Sequence, residues 1–166
     1  MDDQKHQSLV HIAVDLVGGT ALAQDIVRNL SRVGEVSAIS SVYKRYLGSN
    51  RVDLNSNIET VVRFETNCAV DELLWHFKQF SRDKKVSLNL LSYDDLVVLS
   101  PQLTLPNPSM HTDMLIVRCA SEAWPEYQHP IMMKTLSEIA RTAMPSTDSE
   151  FFLQGKSLVD FSKVES

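Results

Sequence analysis

Alternation opens the chain's ordered part and limits what it can fold into. Leu9 to Leu16 place Val10, Ile12, Val14 and Leu16 on one face, the period-two pattern of a half-buried strand. Gly18-Gly19-Thr20 follows as a turn with an N-cap. Leu22, Ile26, Val27, Leu30 and Val33 then recur at helical spacing, and Gly34 ends that helix. Glu35 to Tyr43 reads as a second strand, with Val36, Ala38, Ser40 and Val42 on one side. A polar stretch from Lys44 to about Asn57 reads as a loop of about 14 residues, a length at which loops are often functional. Ile58 to Thr66 is a third strand, with Ile58, Thr60, Val62 and Phe64 on one face. Val70, Leu73, Leu74, Phe77 and Phe80 mark a second helix. Asp71 and Glu72 sit in its first turn, where the helix dipole favours acids. Val86 to Ser92 is a fourth strand, and Tyr93-Asp94-Asp95 turns it into Leu96-Val97-Val98-Leu99. The order is βαββαβ. It predicts an α+β, ferredoxin-like fold: an antiparallel sheet with helices on one face.

Beyond this unit the signals weaken. Pro101, Pro106 and Pro108 punctuate an extended segment, and Met114 to Cys119 is apolar but too short to type by periodicity. Leu136, Ile139 and Ala140 suggest a last helix near 131–143. The expected organisation is a polar tail over 1–8, one domain over 9–143 and a C-terminal extension over 144–166. That extension carries Phe151, Phe152 and Phe161, half of the six phenylalanines, and is expected to dock on the domain or on a neighbouring subunit.

Composition excludes several classes. The chain's 166 residues fit one domain at about 150 residues each. Its 16 basic and 21 acidic residues leave a net charge of −5, without the basic footprint of a general nucleic-acid binder. No apolar run approaches the roughly 18 residues of a membrane span. The polar, acidic start does not resemble a signal peptide, so a cytoplasmic location is expected. Cys68 and Cys119 form no CxxC and read as reduced thiols used as small apolar residues.

Several side chains invite a sharper chemistry, and each has a plainer reading that outweighs it. Asp94-Asp95 as a metal pair is weaker than a solvated turn, because adjacent strand residues point to opposite faces. Gly18-Gly19-Thr20 is a cap before it is an anion nest. His111-Thr112-Asp113 offers a base and an acid but ties no nucleophile to them. His6, His11, His76 and His129 show no metal spacing. Lys44-Arg45, Arg51, Arg82 and Lys84-Lys85 are solvated loop charges before they are an anion site. Trp75 and Trp124 read as packing residues.

The order and wording of the strands resemble the 6-hydroxymethyl-7,8-dihydropterin pyrophosphokinase (HPPK) family over roughly residues 9–143. The segments that carry the likeness are Val10-His11-Ile12-Ala13-Val14, Ile39-Ser40-Ser41-Val42-Tyr43 and Val61-Val62-Arg63-Phe64-Glu65-Thr66 with Asp71-Glu72-Leu73-Leu74. Leu88 to Leu96 and Leu103-Thr104-Leu105-Pro106-Asn107-Pro108 complete it. The resemblance implies transfer of a pyrophosphoryl group from ATP to a pterin hydroxymethyl in folate biosynthesis. Such transfer depends on positioning and charge neutralisation.

The residues that would do this are missing. Ser87 and Asn89 stand where the family has two magnesium-binding aspartates. Two absent carboxylates beside a divalent ion cost several kcal/mol, since one charge pair at 4 Å is worth about 4 kcal/mol at an effective dielectric of 20. Asp15-Leu16-Val17 replaces a Gly-Ser-Asn, and Glu59 replaces the pterin-reading asparagine. Only Ser81-Arg82-Asp83-Lys84-Lys85 remains where a long arginine- and tryptophan-bearing lid belongs. Asn107 replaces the phosphate-contacting histidine, Asp113 an arginine and Leu115 the pterin-stacking phenylalanine. Residues 86–117 contain no Lys or Arg for a nucleotide's phosphates.

The expectation is therefore a non-catalytic HPPK-like protein that binds a small molecule or a protein, as monomer or homodimer. No catalytic or metal residue of the family is intact and no cofactor is expected. A remnant pocket is expected from Tyr43, Arg45, Tyr46, Leu47, Glu59, Asn107, Asp113 and Leu115. The alternatives are an active pyrophosphokinase with a rearranged site, using Mg2+ and ATP, and an assembly module that works through the C-terminal tail.

Overall fold

A computed structural model describes residues 4–48, 56–82 and 85–159. The first strand, β1 (His6–Asp15), runs into α1 (Gly19–Leu30), then β2 (Glu35–Ile39), β3 (Val42–Tyr46) and β4 (Ser56–Thr66). Helix α2 (Val70–Phe80) leads to β5 (Val86–Tyr93). A small ladder pairs β6 (Val98–Leu99) with β7 (Thr104–Leu105). The turn α3 (Ser109–Thr112), helices α4 (Met114–Ala123) and α5 (Leu136–Thr142), and β8 (Ser149–Leu153) follow. The main sheet has the order β5-β1-β4-β3-β8, with β2 also on β4, and every pairing is antiparallel.

The strand predicted over 35–43 divides at Ser40-Ser41. There the Ser40 hydroxyl accepts from Val61 N–H at 3.0 Å, so a side chain takes one rung of the ladder. The predicted loop from Lys44 to Asn57 is shorter at both ends, because Lys44, Arg45 and Tyr46 pair with Ile58, Asn57 and Ser56. Its middle, 49–55, lies outside the described residues, as do Arg51, Lys84 and Phe161. The first helix starts within the Gly18-Gly19-Thr20 turn, with Gly18 at the N-cap and Gly19 at φ 58°, a conformation glycine adopts without strain. It ends at Leu30, ahead of Gly34. Glycine is needed at Gly34 for another reason: a Cβ there would lie 2.4 Å from the Phe64 ring.

The βαββαβ unit carries α1 and α2 on one face. Val10, Ile12 and Val14 of β1 and Ile58, Val62 and Phe64 of β4 pack there against Ala23, Ile26, Val27, Leu30, Leu73 and Phe77. The alternation of β1 predicts one buried face, but both are buried. Leu9, His11 and Ala13 lie under a second layer, because α4 and α5 follow the βαββαβ unit and cover the opposite side. The apolar run that periodicity cannot type is α4. Leu115, Ile116, Val117, Cys119, Ala120 and Ala123 are all buried, while Arg118, Ser121 and Glu122 form its polar side; over Met114 to Cys119 alone only Arg118 of that side is present, too little to show a helical period.

The segment after Pro145 folds back on this chain. Val42 pairs with Leu153, Tyr43 with Phe151 and Arg45 with Ser149, so β8 forms the sheet edge next to β3. Leu158 is fully buried in the α1–α2 layer, and a Cβ on Gly155 would sit 1.9 Å from the Ser40 carbonyl oxygen. Both features hold the tail tightly.

Candidate functional site

On the face under α4, four neighbouring strands bring polar side chains together. The centre is Glu59 on β4, 4% exposed. His11 on β1 donates from Nε2 to Glu59 Oε1 at 2.7 Å. Arg45 on β3 donates from Nε to Glu59 Oε2 at 2.7 Å and from Nη2 to Oε1 at 3.2 Å. The same guanidinium reaches Asp113, with Nη2 at 2.9 and 3.0 Å from its two carboxylate oxygens. Asp148, next to β8, lies 3.6 Å from Nη1. On the other side Asn89 of β5 donates its amide to His11 Nδ1 and to Ser87 Oγ, both at 3.2 Å.

The electrostatics follow from this geometry. Burial by itself raises the proton affinity of Glu59, but the contacts from His11 and Arg45 outweigh it and hold the carboxyl below its ordinary range. Burial opposes the charge on Arg45, yet Glu59 and then Asp113 overcome it and raise the guanidinium above its ordinary value. Arg45 is therefore committed to carboxylates of its own chain. The residue that the sequence places among solvated loop charges is a strand residue whose Nε and Nη2 donate to carboxylates.

Most other residues of the expected pocket also have structural roles. Tyr43 donates its hydroxyl to Glu122 at 2.5 Å. Burial, reinforced by Glu122, pushes that phenol up to about 12. Tyr46 donates to Glu150 of β8 at 2.6 Å. Asp113 caps α4, accepting from Leu115 N–H at 3.1 Å and Ile116 N–H at 3.3 Å. Asn107 accepts from Ser109 N–H at 3.0 Å and so shapes the α3 turn. Leu115 is 1% exposed and packs in the core, so it offers no platform for a ring. Leu47 lies exposed just after β3. The structure thus gathers Arg45, Glu59 and Asp113 into one cluster, sets Tyr43, Tyr46 and Leu115 around it, and leaves Leu47 and Asn107 apart. His11 and Asp148 belong to the cluster too. Neither is singled out by spacing, because register and the return of the tail bring them in.

Ser87 and Asn89, the positions that the sequence resemblance assigns to metal, do not suit magnesium, which requires hard anionic oxygens. Ser87 and Asn89 share one face of the edge strand β5, but they supply a hydroxyl and an amide whose nitrogen is turned toward His11 and Ser87.

The remaining candidates resolve as follows. Asp94 accepts from Gln7 N–H at 2.8 Å and from His6 at 2.7 Å, and so locks the turn after β5. His111 is exposed, with its ring 5.9 Å from that of His129, while Asp113 faces Arg45 instead. Trp124 stacks under the Arg63 guanidinium at 3.9 Å. Trp75 is 57% exposed, so it is not the packing residue expected. Cys119 is buried and free, as its apolar surroundings dictate.

No protein-family model matches the chain, and no curated protein matches it in sequence. Solved structures do match. A wild-type Plasmodium falciparum HPPK-DHPS with STZ-DHP superposes with a TM-score of 0.66 at 9% identity, over 83% of this chain and 43% of that one. The same protein with pterin and p-hydroxybenzoate gives 0.68 at 9% identity, over 85% and 42%. With SDX-DHP it gives 0.68 at 8% identity, over 89% and 48%. The fold is HPPK-like. This chain spans less than half the length of those proteins, and identity this low establishes the fold alone. Within the HPPK-like fold, the described helices include none long and apolar enough to cross a membrane.

Proposed function

We propose that this protein is a non-catalytic HPPK-like protein that acts by interaction rather than by pyrophosphoryl transfer. One observation carries this reading: the Arg45–Glu59 pair, with His11 and Asp113, stands where the resemblance puts pterin recognition. Arg45, Glu59 and Asp113 together carry one positive and two negative charges, which repels a nucleotide tail rather than attracting it. No cation comes from residues 86–117, and no carboxylate from Ser87 or Asn89. Phosphoryl-type transfer depends almost entirely on such groups. The tail supports the same reading, because Asp148 beside β8 adds a further carboxylate on the Arg45 side of the cluster.

The test is incubation of the full chain with ATP, magnesium and 6-hydroxymethyl-7,8-dihydropterin. No AMP above the uncatalysed background is expected. AMP release at an ordinary enzymatic rate would overturn the proposal.

A further inference from the structure

Helix α2 starts with a second cluster, on the side of the sheet away from Arg45. Glu72 and His76, four residues apart on α2, share one helix face, and Cys68 lies two residues ahead of the helix. A thiol sulfur, a carboxylate oxygen and an imidazole nitrogen from these three lie within 4.8 Å of one another. The backbone around Cys68 is fixed from two sides. Its N–H donates to Thr66 Oγ1 at 3.0 Å, and its carbonyl accepts from the Tyr93 hydroxyl at 2.6 Å. His76 lies against the Phe80 ring at 5.9 Å and edge-on to Trp75 at 5.2 Å. The sulfur is half-buried, with the Val33 carbonyl 3.8 Å away.

This donor set has a defined preference. Thiolate and imidazole favour zinc and its neighbours over magnesium or calcium, which take oxygen ligands. Zinc bonds of about 2.3 Å to sulfur and 2.0–2.1 Å to nitrogen put tetrahedral ligand atoms roughly 3.5 Å apart. Side-chain rotation covers the difference from the observed spacing. Three protein donors leave one coordination position for water, the arrangement of an open zinc site.

We propose that Cys68, Glu72 and His76 form a binding site for a zinc-class divalent cation. On binding, the Cys68 S–H proton leaves to solvent as the metal–sulfur bond forms. The site is independent of the cluster around Glu59 and does not depend on the proposed loss of catalysis.

Cobalt(II) titration of the full chain, followed by zinc displacement, tests this. One equivalent of cobalt is expected to give a thiolate-to-metal charge-transfer band and the intense visible bands of a tetrahedral ion. Zinc is expected to abolish both. Cys68→Ser should remove the charge-transfer band. His76→Gln should weaken binding by about tenfold or more, since even groups that only support a ligand contribute that much. Cys119→Ser, at a buried thiol remote from α2, should leave the spectrum unchanged. Circular dichroism of each variant separates loss of the site from loss of the fold, and a folded Glu72→Gln with weakened binding completes the set. A wild-type spectrum lacking the thiolate band, or one unchanged in folded Cys68→Ser or His76→Gln, would overturn the proposal.

Discussion

Arg45 and Glu59 lie diagonally across neighbouring antiparallel strands, where Glu59 is opposite Tyr43, and share two hydrogen bonds, 2.7 Å from Nε to Oε2 and 3.2 Å from Nη2 to Oε1. Glu59 is buried and the Arg45 side chain only 16% exposed, so neither charge has an easy alternative in water. Removing one partner of such a pair strands the other. Glu59→Leu should cost about 3–5 kcal/mol, while Arg45→Met combined with Glu59→Leu should recover much of that loss. Urea unfolding of the two singles and the double would show a coupling of about 2–3 kcal/mol. Additive losses would remove the pair from its central place.

Acid should act through the same carboxylate. The folded state holds Glu59 below its ordinary value of 4.5, so its contribution is fully present above that pH. It is lost as pH falls through the lower, folded value. The unfolding midpoint measured from pH 7 downward should therefore drop more steeply in the wild type than in Glu59→Gln. Parallel curves would contradict this.

Asp113 has two roles that a pair of variants can separate. Asp113→Asn keeps an acceptor for the Leu115 and Ile116 N–H groups but gives up the charge facing Arg45. Asp113→Ala loses both. The alanine variant should be less stable than the asparagine variant by about 1 kcal/mol, the usual worth of an N-cap. The loss in Asp113→Asn then reports the Arg45 contact.

The tail should behave as part of the domain. A methyl group at position 155 would collide with the Ser40 carbonyl oxygen, so Gly155→Ala should loosen β8 and expose the tail to limited proteolysis. Leu158→Ala removes a fully buried side chain and should cost about 2–5 kcal/mol. A tail no more cleavable in Gly155→Ala than in the wild type would show that β8 is not held by this contact.

Much of this architecture is legible before any coordinates. Alternation in β1 and β4 and the apolar spacing of α1 and α2 give the βαββαβ order, because each of those elements has at least one clear apolar face. The second layer is hidden for the opposite reason. Helix α4 buries six of its residues and its polar side, Arg118, Ser121 and Glu122, falls mostly after the apolar run, so that run alone shows no period, although Asp113 just ahead of it is a readable cap signal. The face of β1 that carries His11 and Ala13 gives no sign of burial, since what covers it comes about 100 residues later.

The candidate site divides in the same way. That Ser87, Asn89, Glu59 and Asp113 depart from the pattern the resemblance implies can be read residue by residue. Their replacement by a connected network cannot, because the partners of Glu59 depend on register across two strand pairs. Arg45 is hidden further by its polar neighbours, which make a short edge-side strand look like a loop. The spacing of Cys68, Glu72 and His76 is visible in the sequence, but only when a cysteine just ahead of the helix is counted with two residues inside it.

Calorimetric titration of Mg2+-ATP, and separately of 6-hydroxymethyl-7,8-dihydropterin, into the full chain tests most directly whether the cluster around Glu59 has replaced a substrate site. Neither ligand should give a saturable heat, with or without the other. Saturable, magnesium-dependent ATP binding that is weakened by Ser87→Ala or Asn89→Ala would contradict this and restore an enzyme with rearranged ligands.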